Sequence, residues 1–417
     1  MRKHFLVILA FSSLSLLLAG CTGARLAAET STEEQNIGFF GVGEPLAERS
    51  ITENLSIVQA FEKIEWLNVS CLREWVWRRM VFSGDGGGLN PENTNVLNDV
   101  LARAQSLNVS VMGMVQDFPE WMTQISGDSQ AVPYRNLTEG SPYQEFLTQY
   151  EKSWKTLSQA FPIIISWEIG NEYNLDDFLH PEGYDYNTST PHFSLGEKTD
   201  IITDLLYYGS KGIHTGNPAA LTVMGGLARN TSENGLAYIK DSLEAVYGNV
   251  ESGEWPSTNS SDFFEVACWH PYLFTLEPNQ TNWIEPNNSI RNLMVAHGDV
   301  NKPVVFSELG YSDKIISEEA IAEYLTHSFA LAREDFPWLK ILYWFRLVEI
   351  NESNNNNPKG FGLFNLDWTA KPAACSYELV VPEFPSHFLP LLFLGTMLVV
   401  AVNCQKRKRY PDPIKEG

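Results

Sequence analysis

The residues of this chain that could do chemistry fall at the ends of short apolar runs. The run 163–170 passes into Asn171-Glu172, and the run 303–307 passes into Glu308. Arg73 lies in another such run, His270-Pro271-Tyr272 closes a further one, and Tyr343-Trp344-Phe345-Arg346 closes the last. Two carboxyls facing each other across a sugar-sized gap are what glycosidic cleavage requires. One protonates the departing oxygen while the other attacks carbon or activates water. A gap of about 5–5.5 Å retains the sugar's configuration, and one of about 6.5–9.5 Å inverts it. Either glutamate alone would be unremarkable, since Asn-Glu dipeptides and helix-start glutamates are common solvated features. Their joint position is what carries weight.

That position depends on the elements that deliver them. Runs of β type at 37–42, 69–76, 109–115, 163–168, 221–226, 263–269, 303–307 and 341–345 alternate with helical patterns. Leu55, Val58, Phe61 and Ile64 make one helical stripe, Leu97, Val100 and Leu101 another, and Phe146, Tyr150, Trp154 and Leu157 a third. Strands alternating with helices imply a parallel sheet with right-handed crossovers. Eight such units over residues 36–378 predict an α/β fold, a (β/α)8 TIM barrel forming a single catalytic domain. An open doubly wound sheet is the alternative, but no Gly-rich turn follows the first strand. In a barrel the strand C-termini share one mouth. Glu172 after strand four and Glu308 after strand seven would then face each other. Trp75 and Trp121 lie at loops or strand ends on the same side, where ring faces can stack on sugars.

The segment Trp167-Glu168-Ile169-Gly170-Asn171-Glu172 resembles the acid/base signature of the clan A glycoside hydrolases, families 5 and 39 among them. Gly362-Leu363-Phe364 with Asp367-Trp368 and Lys371-Pro372-Ala373 is similar to that clan's closing stretch. The resemblance implies a retaining hydrolase with Glu172 as general acid/base and Glu308 as nucleophile. It also implies Asn171 on the sugar 2-hydroxyl and Arg73, His270, Tyr272 and Trp344 as further substrate-binding residues. An oligo- or polysaccharide substrate and no cofactor or metal follow from the same resemblance. A departure lies after strand three, where many family 5 members carry histidine and this chain has Gln116-Asp117-Phe118-Pro119. A catalytically inactive carbohydrate-binding barrel and a transglycosylase remain as alternatives with the same scaffold.

Composition removes other classes. Lys and Arg number 29 against 51 Asp and Glu, a formal charge of -22 that repels phosphate backbones, so nucleic acid is not an expected partner. There is no CxxC, HExxH or GxxxxGK[ST]. Gly84-Asp85-Gly86-Gly87-Gly88 lacks the lysine of a phosphate loop, and Asp176, Asp177 and Asp185 lack calcium-loop spacing.

The two ends read as addresses. Residues 1–21 combine Arg2 and Lys3 with an apolar stretch and small residues, the pattern of a signal peptide. Leu18-Ala19-Gly20-Cys21 resembles a lipobox, which implies a lipid on Cys21. After a short stalk at 379–386, residues 387–404 are nearly all apolar and predict a transmembrane helix, followed by a basic cytoplasmic tail at 405–417. Pro382-Glu383-Phe384-Pro385, with the apolar and basic segments after it, resembles the C-terminal sorting tails of archaeal surface proteins. Ten Asn-X-Ser/Thr sequons, at Asn54, Asn68, Asn108, Asn136, Asn187, Asn230, Asn259, Asn279, Asn287 and Asn351, agree with a glycosylated cell-surface protein. Cys71 and Cys268, inside predicted strands, are expected as buried thiols.

Overall fold

The computed structural model describes residues 39–232, 234–351 and 359–381. The expected signal peptide, transmembrane helix and basic tail lie outside the described residues. Among those described, no helix is long and apolar enough to cross a membrane. Eight strands, β1 Phe40–Gly43, β2 Cys71–Trp75, β3 Ser110–Val115, β4 Ser166–Asn171, β5 Leu221–Ala228, β6 Ala267–His270, β7 Val304–Leu309 and β8 Leu339–Phe345, close into one parallel barrel. Each is followed by a helix: α1 Ile57–Trp66, α2 Pro91–Ser106, α3 Pro142–Ala160, α4 Leu195–Gly216, α5 Gly235–Ser252, α6 Glu285–Ala296, α7 Glu318–Asp335 and α8 Pro372–Val380. This is the (β/α)8 arrangement expected from the alternation.

Local chemistry starts the helices where they are needed. Asn90, Ser141, Ser194 and Ser317 each cap an orphan amide at the first turn of α2, α3, α4 and α7. Several expected bounds shift; β6 begins at Ala267 rather than 263, because Phe263 ends the short helical turn Ser260–Asp262. Helix α1 begins at Ile57 rather than at Leu55, so its buried face is Ile57, Ala60, Phe61 and Ile64, while Val58 is exposed. Strand β4 begins at Ser166 rather than 163, because Pro162 and Ile163 form the turn that leaves α3, with Ile163 exposed. Helix α8 also runs into the expected stalk as far as Val380.

Strand alternation divides the side chains into two populations. Leu72, Val111, Trp167, Ile169, Phe306, Leu342 and Trp344 join the apolar layer between barrel and helices. Cys71, Met112, Val223, Val266, Cys268, Val305 and Tyr343 fill the lower barrel interior. Arg73, Glu168 and Ser307 stand two residues further along their strands, fully buried. Trp75, Met114, Tyr272 and Phe345 form a small apolar cluster at the mouth. Cys71 and Cys268 are buried, as expected. One sequon does not suit modification: Asn287 is fully buried, accepting from Trp269 Nε1 at 2.7 Å and donating to the Trp283 carbonyl at 2.7 Å.

Candidate active site

Arg73 organises the mouth from the end of β2. Its Nη1 meets Glu308 Oε1 at 2.5 Å, its Nε meets Glu168 Oε2 at 2.5 Å, and its Nη2 donates to Asn171 Oδ1 at 2.7 Å. The planar fork of a guanidinium suits this three-way division better than an ammonium would. Burial opposes the Arg73 charge, but Glu168 and Glu308 overcome that and raise its pKa. The Tyr272 hydroxyl donates to the other Glu308 oxygen at 2.9 Å.

Glu172 lies one residue past β4, in the left-handed region at φ 53, with its N–H donated to the Gly226 carbonyl at 2.9 Å. Non-glycine residues rarely adopt that conformation, and where they do the strain concentrates at functional sites. His270 Nδ1 lies 2.7 Å from Glu172 Oε1, and His270 Nε2 lies 2.8 Å from Ser307 Oγ. Ser307 in turn donates to Glu168 Oε1 at 2.8 Å. A hydroxyl that donates to a carboxylate must accept from its other neighbour, so His270 carries its proton on Nε2 when neutral. Nδ1 is then free to accept a proton held by Glu172. Gly226 makes the histidine's place possible: a Cβ there would collide with the ring at Nε2.

The closest ligand atoms of Glu172, His270 and Glu308 all lie within 4.8 Å of one another. Burial raises the Glu172 carboxyl above its ordinary value, with the Glu308 charge adding to this against the pull of His270. Burial would raise Glu308 too, but His270, Arg73 and the Tyr272 hydroxyl outweigh it and hold that carboxyl low. For His270, burial works against the charged form, yet the two glutamates prevail and its pKa rises. One carboxyl is thus disposed to keep its proton and the other to lose it, the pairing that divides acid and base work between like groups. The spacing of the three would also admit a divalent ion, but the Arg73 guanidinium on Glu308 opposes a second cation there. Glu277, Glu323 and His327 form a second such group, more exposed.

Arg73, Asn171, Glu172, His270, Tyr272 and Glu308 are therefore brought together, and Trp75 lies under the Arg73 guanidinium at 4.3 Å from its ring. Two other expected residues are not. Trp344 is fully buried, against Phe329 and Tyr311 at ring distances of 6.1 Å each, in the layer between barrel and helices. The inward positions of β8 are Tyr343 and Phe345, so alternation turns Trp344 away and gives its expected place to Phe345. Trp121, half-buried on the short helix Glu120–Thr123, packs on Phe82 at 5.3 Å and over Gly86. None of the cluster's bonds reaches it. Glu168 and Ser307 are the members that reading strand ends missed; their signal is polar type at inward-facing strand positions. After β3, Asp117 accepts from the Arg78 and Arg79 amides at 2.7 and 2.9 Å, starting the short helix Arg78–Val81.

No family model matches the sequence, and neither does any curated protein. Solved structures do share the fold. A family 39 glycoside hydrolase from the gut symbiont Bacteroides cellulosilyticus WH2 is 15% identical with TM-score 0.58, covering 83% of this chain, while this chain spans 64% of it. A family 1 β-glucosidase from Thermotoga maritima is 13% identical with TM-score 0.58, over 82% of this chain and 97% of that one. A GH5_18 protein from Streptomyces cattleya, solved in complex with GlcNAc, is 15% identical with TM-score 0.56, over 84% of this chain and 81% of its own. The fold is thus one shared with glycoside hydrolases of families 1, 5 and 39.

Proposed function

We propose that this chain is a retaining glycoside hydrolase acting on an oligo- or polysaccharide. The carrying observation is that a carboxyl oxygen of Glu172 and one of Glu308 lie within 4.8 Å of each other. A gap of about 6.5–9.5 Å would be needed to seat a water for inversion. In the first step a Glu308 oxygen bonds to the anomeric carbon as the glycosidic C–O bond breaks, and the Glu172 proton passes to the departing oxygen. In the second, water gives a proton to Glu172 and bonds to that carbon, and the Glu308–carbon bond breaks. Arg73 and Tyr272 hold Glu308 ionised and aimed. His270, held through Ser307, positions Glu172. Asn171 uses its carbonyl oxygen on Arg73, which leaves its amide nitrogen to donate to the sugar 2-hydroxyl.

The test is trapping with activated 2-fluoro-sugars on the full chain, followed by peptide mapping. An adduct on Glu308 is expected. An adduct on Glu172 would reverse the two roles, and neither adduct nor sugar release would favour an inactive binding barrel. Excess acceptor sugar in the same assay separates transglycosylation from hydrolysis by product.

We also propose that the protein is exported and held at the cell surface, supported by the signal-like residues 1–21, the lipobox-like Cys21 and the apolar segment 387–404 with its basic tail. Membrane fractionation and protease shaving of cells making the full chain would check this. A chain that stays with the soluble, protected fraction would overturn it.

A further inference from the structure

The β6–α6 loop carries a feature that the reaction above does not use. Phe274 is the central residue of a three-residue turn closed by Thr275 N–H donating to the Leu273 carbonyl at 2.7 Å, and its φ is +57. A turn of that kind with positive φ is rare and strained, and a bulky residue at its centre is a stronger outlier than asparagine or glycine would be. The residue is also 39% exposed. Burial in the core therefore does not offset the strain.

Its surroundings explain where the ring is aimed. Phe274 lies parallel to Tyr272, with 7° between the planes and 6.0 Å between centroids. Tyr272 is the residue that donates to Glu308. From Tyr272 an arc of rings continues through Phe361 at 6.3 Å and Phe345 at 5.5 Å to Trp75 at 6.2 Å, beside Arg73. Phe274 is the outer, solvent-facing end of that arc. Arg229 braces it from the end of β5: Nη1 donates to the Tyr272 carbonyl at 2.9 Å, Nη2 to the Ser232 carbonyl at 2.8 Å, and the guanidinium lies 5.2 Å from the Phe274 ring. A strained, exposed and braced aromatic ring beside the tyrosine that holds Glu308 has the properties of a binding platform.

We propose that Phe274 is a specificity-determining platform that stacks on a neutral pyranose ring beyond the sugar being cleaved. The inference rests on the glycoside hydrolase reading and makes the preferred substrate a sugar chain rather than a monoglycoside. The apolar C–H face of a pyranose matches an aromatic face, and an uncharged sugar leaves the acidic surface no charge to repel.

The experiment compares full-length wild type with Phe274→Gly, which relaxes the turn and removes the ring, and Phe274→Trp, which keeps a ring. The probes are cellotetraose and mannotetraose, each set against the matching 4-nitrophenyl monoglycoside, together with 2-fluoro-sugar trapping. In Phe274→Gly, the ratio of kcat/KM on the tetrasaccharide to that on the monoglycoside should fall roughly tenfold through KM, a loss of about 1.4 kcal/mol in binding. Phe274→Trp should keep the ratio within about twofold, within the spread for aromatic contacts. Parallel loss on both probes, or no loss on either, would overturn the platform. A wild-type chain that no probe occupies or labels would overturn the hydrolase reading and this inference with it. A labelled chain with an insensitive Phe274 removes the inference alone.

Discussion

The lower interior of the barrel and its mouth are built on the same strands, two residues apart, with opposite chemistry. Cys71 lies below Arg73, Val305 below Ser307, and Cys268 below His270. The lower set is an apolar plug. The upper set is a buried polar network in which Arg73 holds two carboxylates and Ser307 links Glu168 to His270. Desolvating charge is costly unless every partner is present, whereas burying a methyl group is favourable by itself. The lower interior therefore supports the barrel, and the mouth carries a buried electrostatic load of the kind the proposed reaction would use.

The sharpest break in that comparison is at Glu308. In Glu308→Gln, kcat should fall by more than about 10⁴-fold, with no covalent adduct, because the proposed nucleophile is replaced by an amide that cannot attack carbon. Retained trapping in that variant, read by intact mass, would move the nucleophile elsewhere. Glu172→Gln should cost about 10²–10⁴-fold on substrates with poor leaving groups, the usual worth of a positioned acid. The pH profile gives the sign. Glu308 works ionised, and its pKa lies below the ordinary 4.5, so activity should be lost only as pH falls through that lowered value. Glu172 works protonated, and its pKa lies above 4.5, so activity should be lost as pH rises through the raised value. Because Glu172 and His270 lie in hydrogen-bond contact, that alkaline limb belongs to the pair. Glu172→Gln should shift or abolish the limb, and a limb that survives unchanged would assign it to another group.

Stability sharpens the same contrast. Met112→Ala opens a hole in the lower interior and should cost about 2–5 kcal/mol in denaturant unfolding. Arg73→Met strips the partner from Glu168 and Glu308 and should cost a similar amount, about 3–5 kcal/mol, by leaving buried charge unpaired. The activity readout separates them: the first should keep sugar trapping under folding conditions, and the second should lose it. If Arg73→Met proved as stable as wild type, the mouth network would not carry the proposed load.

Much of this is legible in the sequence alone. The eight strands show as β-type runs bounded by Gly, Pro and Asn, and the site as carboxyls at two strand ends. A rule that looks only at ends misses Glu168 and Ser307, which lie inside their strands and meet only when the sheet closes. The start of β4 at Ser166 is hidden because an apolar run does not reveal that Pro162-Ile163 belongs to the preceding turn. Phe274 is illegible for a different reason. Its significance lies in a backbone dihedral, and no side-chain pattern announces one.

Trp344 gives the smallest effect and the cleanest lesson. By type and position it looks like a sugar-stacking residue, and by parity it faces the helices. Its Nε1 is buried without a hydrogen-bond partner. Replacing it with phenylalanine removes that unmet donor while keeping a ring against Phe329 and Tyr311. The gain offsets part of the lost volume, so the net stability change should stay below about 2 kcal/mol. Tetrasaccharide kcat/KM should stay within about twofold, a change of about 0.4 kcal/mol. Phe345→Ala, one residue on and on the inward side, should instead raise KM several-fold. A reversal of that order, with Trp344→Phe the more damaging to KM, would mean that β8 presents its other face to the sugar and that the parity assigned to the mouth is wrong.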